Sequence, residues 1–548
     1  MPIVTIDGTP MSVEPDTLII QAADRLGIEI PRFCYHPDLR PEGNCRMCLV
    51  HIKGFARLTP ACSTLVTDDM VVSTAHVHDE VRQATQGVLE FLLINHPLDC
   101  PICDQAGECS LQDFYLDRDY GLHPSDVDPN EKVRKRKAIT LGPIYMDSER
   151  CVMCSRCIRF SNEVSKAGEL QFVERGNHVE IQAFEDRALE DPYAGNLADL
   201  CPVGALTSRD FRFKRRVWFL HHADSICAGC STGCNVRIDY TDTGIERVVP
   251  RRNPFVNNSW MCDEGRESYH QRETLHRLTH PLRREGGQLQ MISWPEALAE
   301  IMDAVQMKEP SQAAIVASPG ATNETLWLLR EWARSLNRPV LMDFRMRDET
   351  PDVGAMQDHL LRRSDKAPNT QGALALGLGA GPGIEFMSHV AVQRGIGFAL
   401  IMHYVPLVGI HDDARLAELA RIIRGSVYSV VLTNQEAAWW EDADVVLPLA
   451  SWAEEEGTYT NHAGMVQAME LAVPAPGDAW PGWRIIGHLL NKTSNAPRYG
   501  SAAAVFEAAA HTVAMLKGLT HSQLQSQQAT VYPPEGRMRY GQEGFAGR

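Results

Sequence analysis

The sequence predicts a multidomain protein, mixed α+β in its first half and α/β in its second. Three observations predict this. A chain of 548 residues exceeds what one hydrophobic core organises. All 15 cysteines lie between Cys34 and Cys262, so the two halves carry different chemistry. Beyond about residue 280, strand-like apolar runs alternate with amphipathic helical ones, the pattern of a mostly parallel sheet.

Taken in order, the first segment alternates apolar and polar residues through Ile3, Thr5, Met11 and Val13. Asp7-Gly8 between two such short runs is a hairpin turn. Asp16 or Thr17 then caps a helix whose apolar stripe uses Leu18, Ala22 and Leu26, with Gly27 placed to end it. A hairpin, a helix and a cysteine-bearing loop predict a small β-grasp, ferredoxin-like module over residues 1–78. From Val81, the residues Val88, Leu89, Leu92 and Leu93 mark one face of a helix that delivers His96 at its C-terminal end, ahead of Pro97. Cysteine-rich stretches follow over 79–118, 140–212 and 220–276, the first two separated by a charged linker around 117–140. In the second half, strands are expected at Ala313–Ala317, Val340–Phe344, Val427–Leu432 and Val445–Leu449. Helices are expected at Asn323–Leu336 and Ala414–Ile423. The α/β region is taken as 277–500, and 501–548 as a C-terminal helix with a Gln-, Pro- and Gly-rich tail expected to order only against a partner.

Bulk composition excludes several functions. Apolar residues at 44% and charged residues at 22% describe an ordinary globular chain. A net charge of −17 argues against nucleic acid as the main partner. The longest apolar run, 397–410, is broken by His403 and Pro406 and falls short of the roughly 20 residues of a membrane helix. It reads as a buried strand. No secretory leader is recognisable at the N-terminus. Two basic clusters stand out: Lys132, Arg134, Lys135, Arg136 and Lys137, then Arg209, Arg212, Lys214, Arg215 and Arg216. They read as solvated faces, the alternative being a docking strip for an acidic neighbour.

The cysteines sort into four sets with none left over. Cys34, Cys45, Cys48 and Cys62 form the first. His96, Cys100, Cys103 and Cys109 form the second. Cys151, Cys154, Cys157 and Cys201 form the third, and Cys227, Cys230, Cys234 and Cys262 the fourth. Two thiolates separated by two residues point inward from one tight loop and chelate one centre, and a distant ligand ties another element to it. Three cysteines at such spacing wrap a cubane. Cys201-Pro202 is the one candidate to complete the third set, so one [4Fe–4S] cluster is expected there. The first set matches a [2Fe–2S] loop in type, with Gly43 before Cys45 giving the backbone close approach. His96 enters the second set because three cysteines follow it and no other cysteine is spare. Zinc is the competing reading of all four sets; three cysteines in one loop with a remote fourth favour iron–sulphur.

On these residues the chain resembles the family of large iron–sulphur peripheral-arm subunits of bacterial NADH:quinone oxidoreductases (respiratory complex I). The matching stretches are FCYHPDLRPEGNCRMCLV, NHPLDCPICDQAGECSLQD, ERCVMCSRCIRF, GNLADLCPVGAL, and SICAGCSTGCN with the later WMCDEGRE, together spanning roughly residues 1–280. The resemblance implies a [2Fe–2S] cluster on the first set and three [4Fe–4S] clusters on the others, the fourth being off the main electron route. It implies an electron-relay subunit of the peripheral arm of a proton-pumping complex, with no catalytic residue of its own. Implied partners are the flavoprotein that oxidises NADH, a [2Fe–2S] subunit and quinone-proximal subunits. Implied location is the cytoplasmic face of the bacterial inner membrane, held there through the complex.

The second half is similar to molybdopterin oxidoreductases, most clearly in EEEGTYTNHAGMVQ, Glu454 to Gln467. No cysteine follows Cys262 to ligate molybdenum, and the chain after Gln467 is short for the domain that completes a pterin site. Molybdopterin is therefore not expected, and the half reads as a degenerate scaffold. Gly377, Gly379, Gly381 and Gly383 lack the Lys-Ser/Thr of a P-loop and read as turn chemistry. The alternative function is a molybdenum-dependent formate dehydrogenase-type subunit, which shares the N-terminal modules. A hydrogenase relay and a zinc scaffold are further readings.

Overall fold

The computed structural model describes residues 1–116, 131–135, 139–274, 276–306, 312–346, 357–405 and 413–526. The charged linker around 117–140 falls largely outside these residues, and so do Arg136, Lys137 and the tail from 527 onward. Two compact units divide the chain, Met1–Leu220 and His221–Arg548.

The first unit begins with the expected hairpin. Ile3–Ile6 pairs with Thr9–Ser12, and Asp7 (φ 49°) and Gly8 (φ 84°) both take the left-handed conformation that a two-residue turn of matching twist requires. Ile3–Ile6 also runs parallel to Met70–Ser73, completing a five-stranded sheet with Leu49–Ile52 and Thr59–Pro60. The helix Ile19–Arg25 buries Ile19, Ile20, Ala22 and Ala23. This is the β-grasp arrangement.

The helix start corrects the sequence reading. Neither Asp16 nor Thr17 caps it; Thr17 Oγ1 donates instead to the Glu14 carbonyl at 2.7 Å. Leu18 holds the cap position, its backbone N–H donating to Gln21 Oε1 at 2.9 Å. The helix begins one residue later than expected, so the Thr17 side chain lies ahead of the cap position. The end is as expected: Gly27 (φ 70°) follows the last turn, the N–H groups of Ile28 and Gly27 reaching the Ala23 and Asp24 carbonyls in a Schellman closure. The next helix, Asp79–Asn95, buries Val81, Thr85, Leu89 and Leu93 and stops at His96, whose ψ of 134° leaves the helix.

The second unit opens with an antiparallel sheet of His221–Ile226, Asn235–Thr241 and Gly244–Pro250. A seven-stranded sheet follows. Its five parallel strands are Val445–Pro448, Tyr428–Thr433, Phe398–His403, Ala313–Val316 and Val340–Asp343, in that spatial order, with an antiparallel pair, Leu282–Glu285 and Gln288–Met291, on one edge. Successive residues of these strands face two separate cores: Ala313, Ile315, Leu400 and Val430 on one side, Ala314, Val316, Ile401 and Val431 on the other. That is why the strands read as continuous apolar runs. The expected helices are Asn323–Ser335 and Asp413–Gly425, and Ala502–Thr512 supplies the C-terminal one. Phe398–His403 is the buried strand within the 397–410 run; 406–412 lie outside the described residues.

The glycine-rich stretch is turn chemistry. A Cβ at Gly381 would strike the Met342 carbonyl, and the backbone N–H of Gly383, at the start of the helix Ile384–Val392, donates to Asp343 Oδ2 at 3.0 Å. A carboxylate of the chain itself occupies the position an external phosphate would need.

Trp332 is fully buried, its ring edge-on to Phe398 with centroids 6.0 Å apart. Trp332→Ala is expected to cost about 3–5 kcal/mol by opening a cavity, read as a lowered midpoint in denaturant unfolding of the second unit.

Candidate metal centres

In each of the four sequence-defined sets the cysteines lie near one another, and in the second His96 stands just ahead of them at the end of its helix. In the first, Cys34, Cys48 and Cys62 are buried and Cys45 half-buried. The Cys34 backbone N–H lies 3.4 Å from Cys45 Sγ, and the free thiols of Cys34 and Cys62 lie within hydrogen-bonding reach of each other. Arg46 takes a φ of 60° between two of the cysteines. A non-glycine residue in this region stores strain, and here it turns consecutive side chains toward one point.

In the second set, His96 emerges from its helix beside the turn Cys100–Ile102, and Cys103 and Cys109 lie within electrostatic reach of Cys100. Burial, and secondarily the Arg150 guanidinium, lower the His96 imidazole to about 4. At neutral pH the ring is uncharged and retains a nitrogen lone pair for a metal. Burial raises Cys109 to about 11.

The third set sits on a loop bent by Met153 (φ 54°) and Ser155 (φ 63°), the residues either side of Cys154. The Met153 N–H points at Cys151 Sγ, 3.3 Å away, and the amides of Val203, Ala205 and Leu206 point at Cys201. Burial is the largest influence on these thiols, raising Cys151 to about 12 and Cys154 and Cys201 to about 11.

The fourth set, in the second unit, lines one cavity with Gly229, Glu264, Gly265, Leu361, Arg362 and Lys366. The N–H groups of Gly229 and Gly265 approach Cys227 and Cys262 Sγ at 3.5 and 3.4 Å. The loop is clamped by the segment singled out in the second half. His462 N–H donates to the Ser231 carbonyl at 2.8 Å, Asn461 Nδ2 to Thr232 at 3.2 Å, and Gln467 Nε2 to Gly233 at 3.0 Å.

These donor sets fit iron–sulphur clusters. Thiols raised by burial become thiolates only where positive charge compensates them, which iron supplies, and amides aimed at sulfur stabilise the same charge. Among the described residues no group of three or more His, Cys, Asp or Glu is placed to hold a single metal ion. A cluster distributes its ligands over several irons, so its sulfurs need not converge on one point.

Sequence reasoning missed the cations. The basic clusters read as solvated faces include inward braces: Lys132 Nζ donates to the His96 carbonyl at 2.6 Å, Lys135 Nζ to Val179 at 2.7 Å, and Arg216 Nη1 to Cys103 at 2.5 Å. Arg212 stacks on Tyr145 and Phe213. A run of positive residues carries no signal of which one turns inward. The glycines were equally silent: a Cβ at Gly204 would collide with Cys103 Sγ, and one at Gly265 would lie 2.9 Å from Cys227 Sγ.

Comparison with known proteins agrees in chemistry. Residues 3–76 match a 2Fe-2S iron-sulfur cluster binding domain, and 86–121 the NADH-ubiquinone oxidoreductase-G iron-sulfur binding region. Residues 142–207 match the ferredoxin-like domain of NADH-quinone oxidoreductase subunit 3. Residues 220–272 match a molybdopterin oxidoreductase Fe4S4 domain, and 277–353 with 366–492 a molybdopterin oxidoreductase domain. The chain is 38% identical to the G subunit of NADH-quinone oxidoreductase from Rickettsia typhi over 64% of its own length and 51% of that protein. It is 40% identical to the mitochondrial NADH-ubiquinone oxidoreductase 78 kDa subunit of Candida albicans over 58% of its length and 44% of that protein. The alignments thus span about half the length of these relatives. An NAD+-reducing [NiFe]-hydrogenase crystal structure shares 26% identity over 39% of this chain and 91% of that one, with a TM-score of 0.35, too loose a likeness to bear on function. The chain is related to these NADH-quinone oxidoreductase subunits, and it carries iron–sulphur cluster-binding domains followed by a molybdopterin oxidoreductase-type domain.

Gly204→Ala is expected to displace the Cys103 loop and lower bound iron per chain, while Gly500→Ala, whose Cβ meets nothing within 4 Å and whose backbone is not left-handed, leaves it unchanged. Iron assay of anaerobically purified material checks both.

Proposed function

We propose that this chain is the iron–sulphur electron-relay subunit of the peripheral arm of a proton-pumping NADH:quinone oxidoreductase. Cys34, Cys45, Cys48 and Cys62 would hold a [2Fe–2S] cluster. His96, Cys100, Cys103 and Cys109 would hold one [4Fe–4S] cluster, Cys151, Cys154, Cys157 and Cys201 a second, and Cys227, Cys230, Cys234 and Cys262 a third. Such clusters accept and release single electrons, and the chain's residues set their potentials by charge, hydrogen bonding and burial.

The observation that carries the relay reading is the order of the ligand loops in the first unit, which is not their order in the sequence. The loop of the first set touches that of the third: Asn44 Nδ2 donates to the Met153 carbonyl, Ser155 bonds Glu42, and Arg159 reaches the Cys34 carbonyl. The third set in turn touches the second. The Ser110 N–H donates to the Pro202 carbonyl at 3.0 Å, Arg150 pairs with Asp99 at 2.7 Å, and Gly204 abuts Cys103. The third loop thus joins both others, and the relay of this reading runs first, third, second, although Phe33 and Phe114 also bring the first and second segments together. A zinc scaffold has no use for such a line of centres.

The domains follow the ligand sets: residues 1–78, 79–118 and 140–212 carry the first three, 220–276 the fourth, 277–500 the α/β half, and 501–548 the C-terminal helix and tail. Its partners would be the NADH-oxidising flavoprotein, a [2Fe–2S] subunit and the quinone-proximal subunits. The chain would sit at the cytoplasmic face of the inner membrane through them. Among the described residues no helix is long and apolar enough to cross a membrane. Molybdopterin has no place in this reading.

The test is an anaerobic preparation assayed for about 14 irons per chain, the content of one [2Fe–2S] and three [4Fe–4S] clusters, with EPR after dithionite reduction and elemental molybdenum analysis. Folded, iron-free protein would end the proposal; stoichiometric molybdenum with formate-dependent reduction would replace it by the formate dehydrogenase reading. His96→Cys adds one negative charge to its cluster and is expected to lower that midpoint potential alone, whereas His96→Ala removes the signal. An EPR-monitored titration separates the two.

A further inference from the structure

Arg156 occupies the junction of the first and third cysteine loops. It lies between Cys154 and Cys157 in sequence, yet its side chain serves both loops. Nη2 donates to the Tyr35 carbonyl at 2.6 Å, one residue from Cys34, and Nη1 to the Leu200 carbonyl at 3.2 Å, one residue from Cys201. The guanidinium is close enough to Cys154, Cys201 and Cys34 to interact with their charge. Its Nε is buried and makes no hydrogen bond. No carboxylate pairs with it among the described ion pairs, in contrast to Arg159, which meets Glu42 at 3.1 Å, and Arg32, which meets Asp24.

A part-buried guanidinium held by two carbonyls and no carboxylate, with its Nε fully enclosed, is costly unless negative charge lies nearby. The sulfurs of the two loops are the negative charge on offer. The planar fork also fixes separation, because two donors of one rigid group set the spacing of the two carbonyls they bind. A lysine would carry the charge without the fork.

We propose that Arg156 is the positioning residue that couples the first and third metal centres, holding their loops at a fixed spacing and raising both potentials through one shared positive charge. The inference rests on the cluster assignment proposed above. Adding an electron to either centre makes it more negative, and a fixed cation in a poorly solvated site favours that reduced state. Arg32 provides the control. It interacts with Cys48 of the first set and with no cysteine of the third.

The experiment is an EPR-monitored redox titration of the full chain, as wild type, Arg156→Gln, Arg156→Lys and Arg32→Gln. Arg156→Gln is expected to lower the midpoint potentials of the [2Fe–2S] centre and of the third-set cubane together. Arg32→Gln should lower the [2Fe–2S] potential alone. Arg156→Lys should leave both potentials near wild type while weakening the relaxation enhancement that the reduced cubane imposes on the [2Fe–2S] signal. If Arg156→Gln does not fold, the lysine variant decides: undiminished relaxation enhancement overturns the inference. With both signals present, a shift of neither potential or of only one in Arg156→Gln also overturns it. Absence of cluster signals from wild type refutes the cluster assignment instead, so the two failures are distinguishable.

Discussion

Burying sulfur is the constraint from which most of this architecture follows. A thiol removed from water resists ionisation, and burial is the leading influence on Cys109, on Cys151, Cys154, Cys157 and Cys201, and on Cys227, Cys234 and Cys262. Such groups serve as thiolate ligands only where compensating positive charge is built around them. The chain supplies part of that compensation in its backbone. Left-handed residues such as Arg46, Met153 and Ser155 bend the loops, and the amides thus freed from helix and strand point at sulfur. Glycines at 204 and 265 allow the backbone to approach within contact of the sulfurs.

Arginine supplies the rest of the order. Arg150, Arg156, Arg159 and Arg216 each reach backbone carbonyls or carboxylates of a neighbouring cysteine loop. One class of side chain therefore joins loops far apart in sequence and brings positive charge to the sites. The fourth set achieves a similar enclosure differently. Asn461, His462 and Gln467 of the α/β half hold its loop, and Lys366 with Arg362 meets Glu264 at the rim. The half that resembles a cofactor-binding domain thereby has a structural task toward the fourth set.

That half also buries acids that no cation neutralises directly. Glu324 and Glu455 are fully enclosed, and burial raises them to about 7 and about 8. Glu324 accepts from the Thr458 amide and hydroxyl, both at 2.9 Å, whereas Glu454 is neutralised by a two-pronged pair with Arg277 at 2.6 Å. Adjacent glutamates thus have opposite fates, decided by whether an arginine faces them.

Sequence alone determined what local chemistry dictates. The spacing of the cysteines grouped them into four sets, Asp7-Gly8 and Gly27 marked a turn and a helix end, and the apolar runs of the second half marked a mostly parallel sheet. Each of these depends on residues within a few positions of one another, or on a pattern of fixed period. The helix cap at Leu18 escaped because an apolar side chain gives no capping signal, and the acceptor comes from Gln21 inside the helix. Tertiary structure decided the rest: that the third cysteine loop touches both the first and the second, that particular lysines and arginines turn inward, and that one hairpin of the α/β half clamps the fourth loop. Those outcomes rest on contacts between segments from tens to more than two hundred residues apart, such as Lys132 with His96, Arg156 with Tyr35 and Gln467 with Gly233. Charge and shape decide such contacts only once the intervening chain has folded, and neither leaves a periodic trace in the sequence.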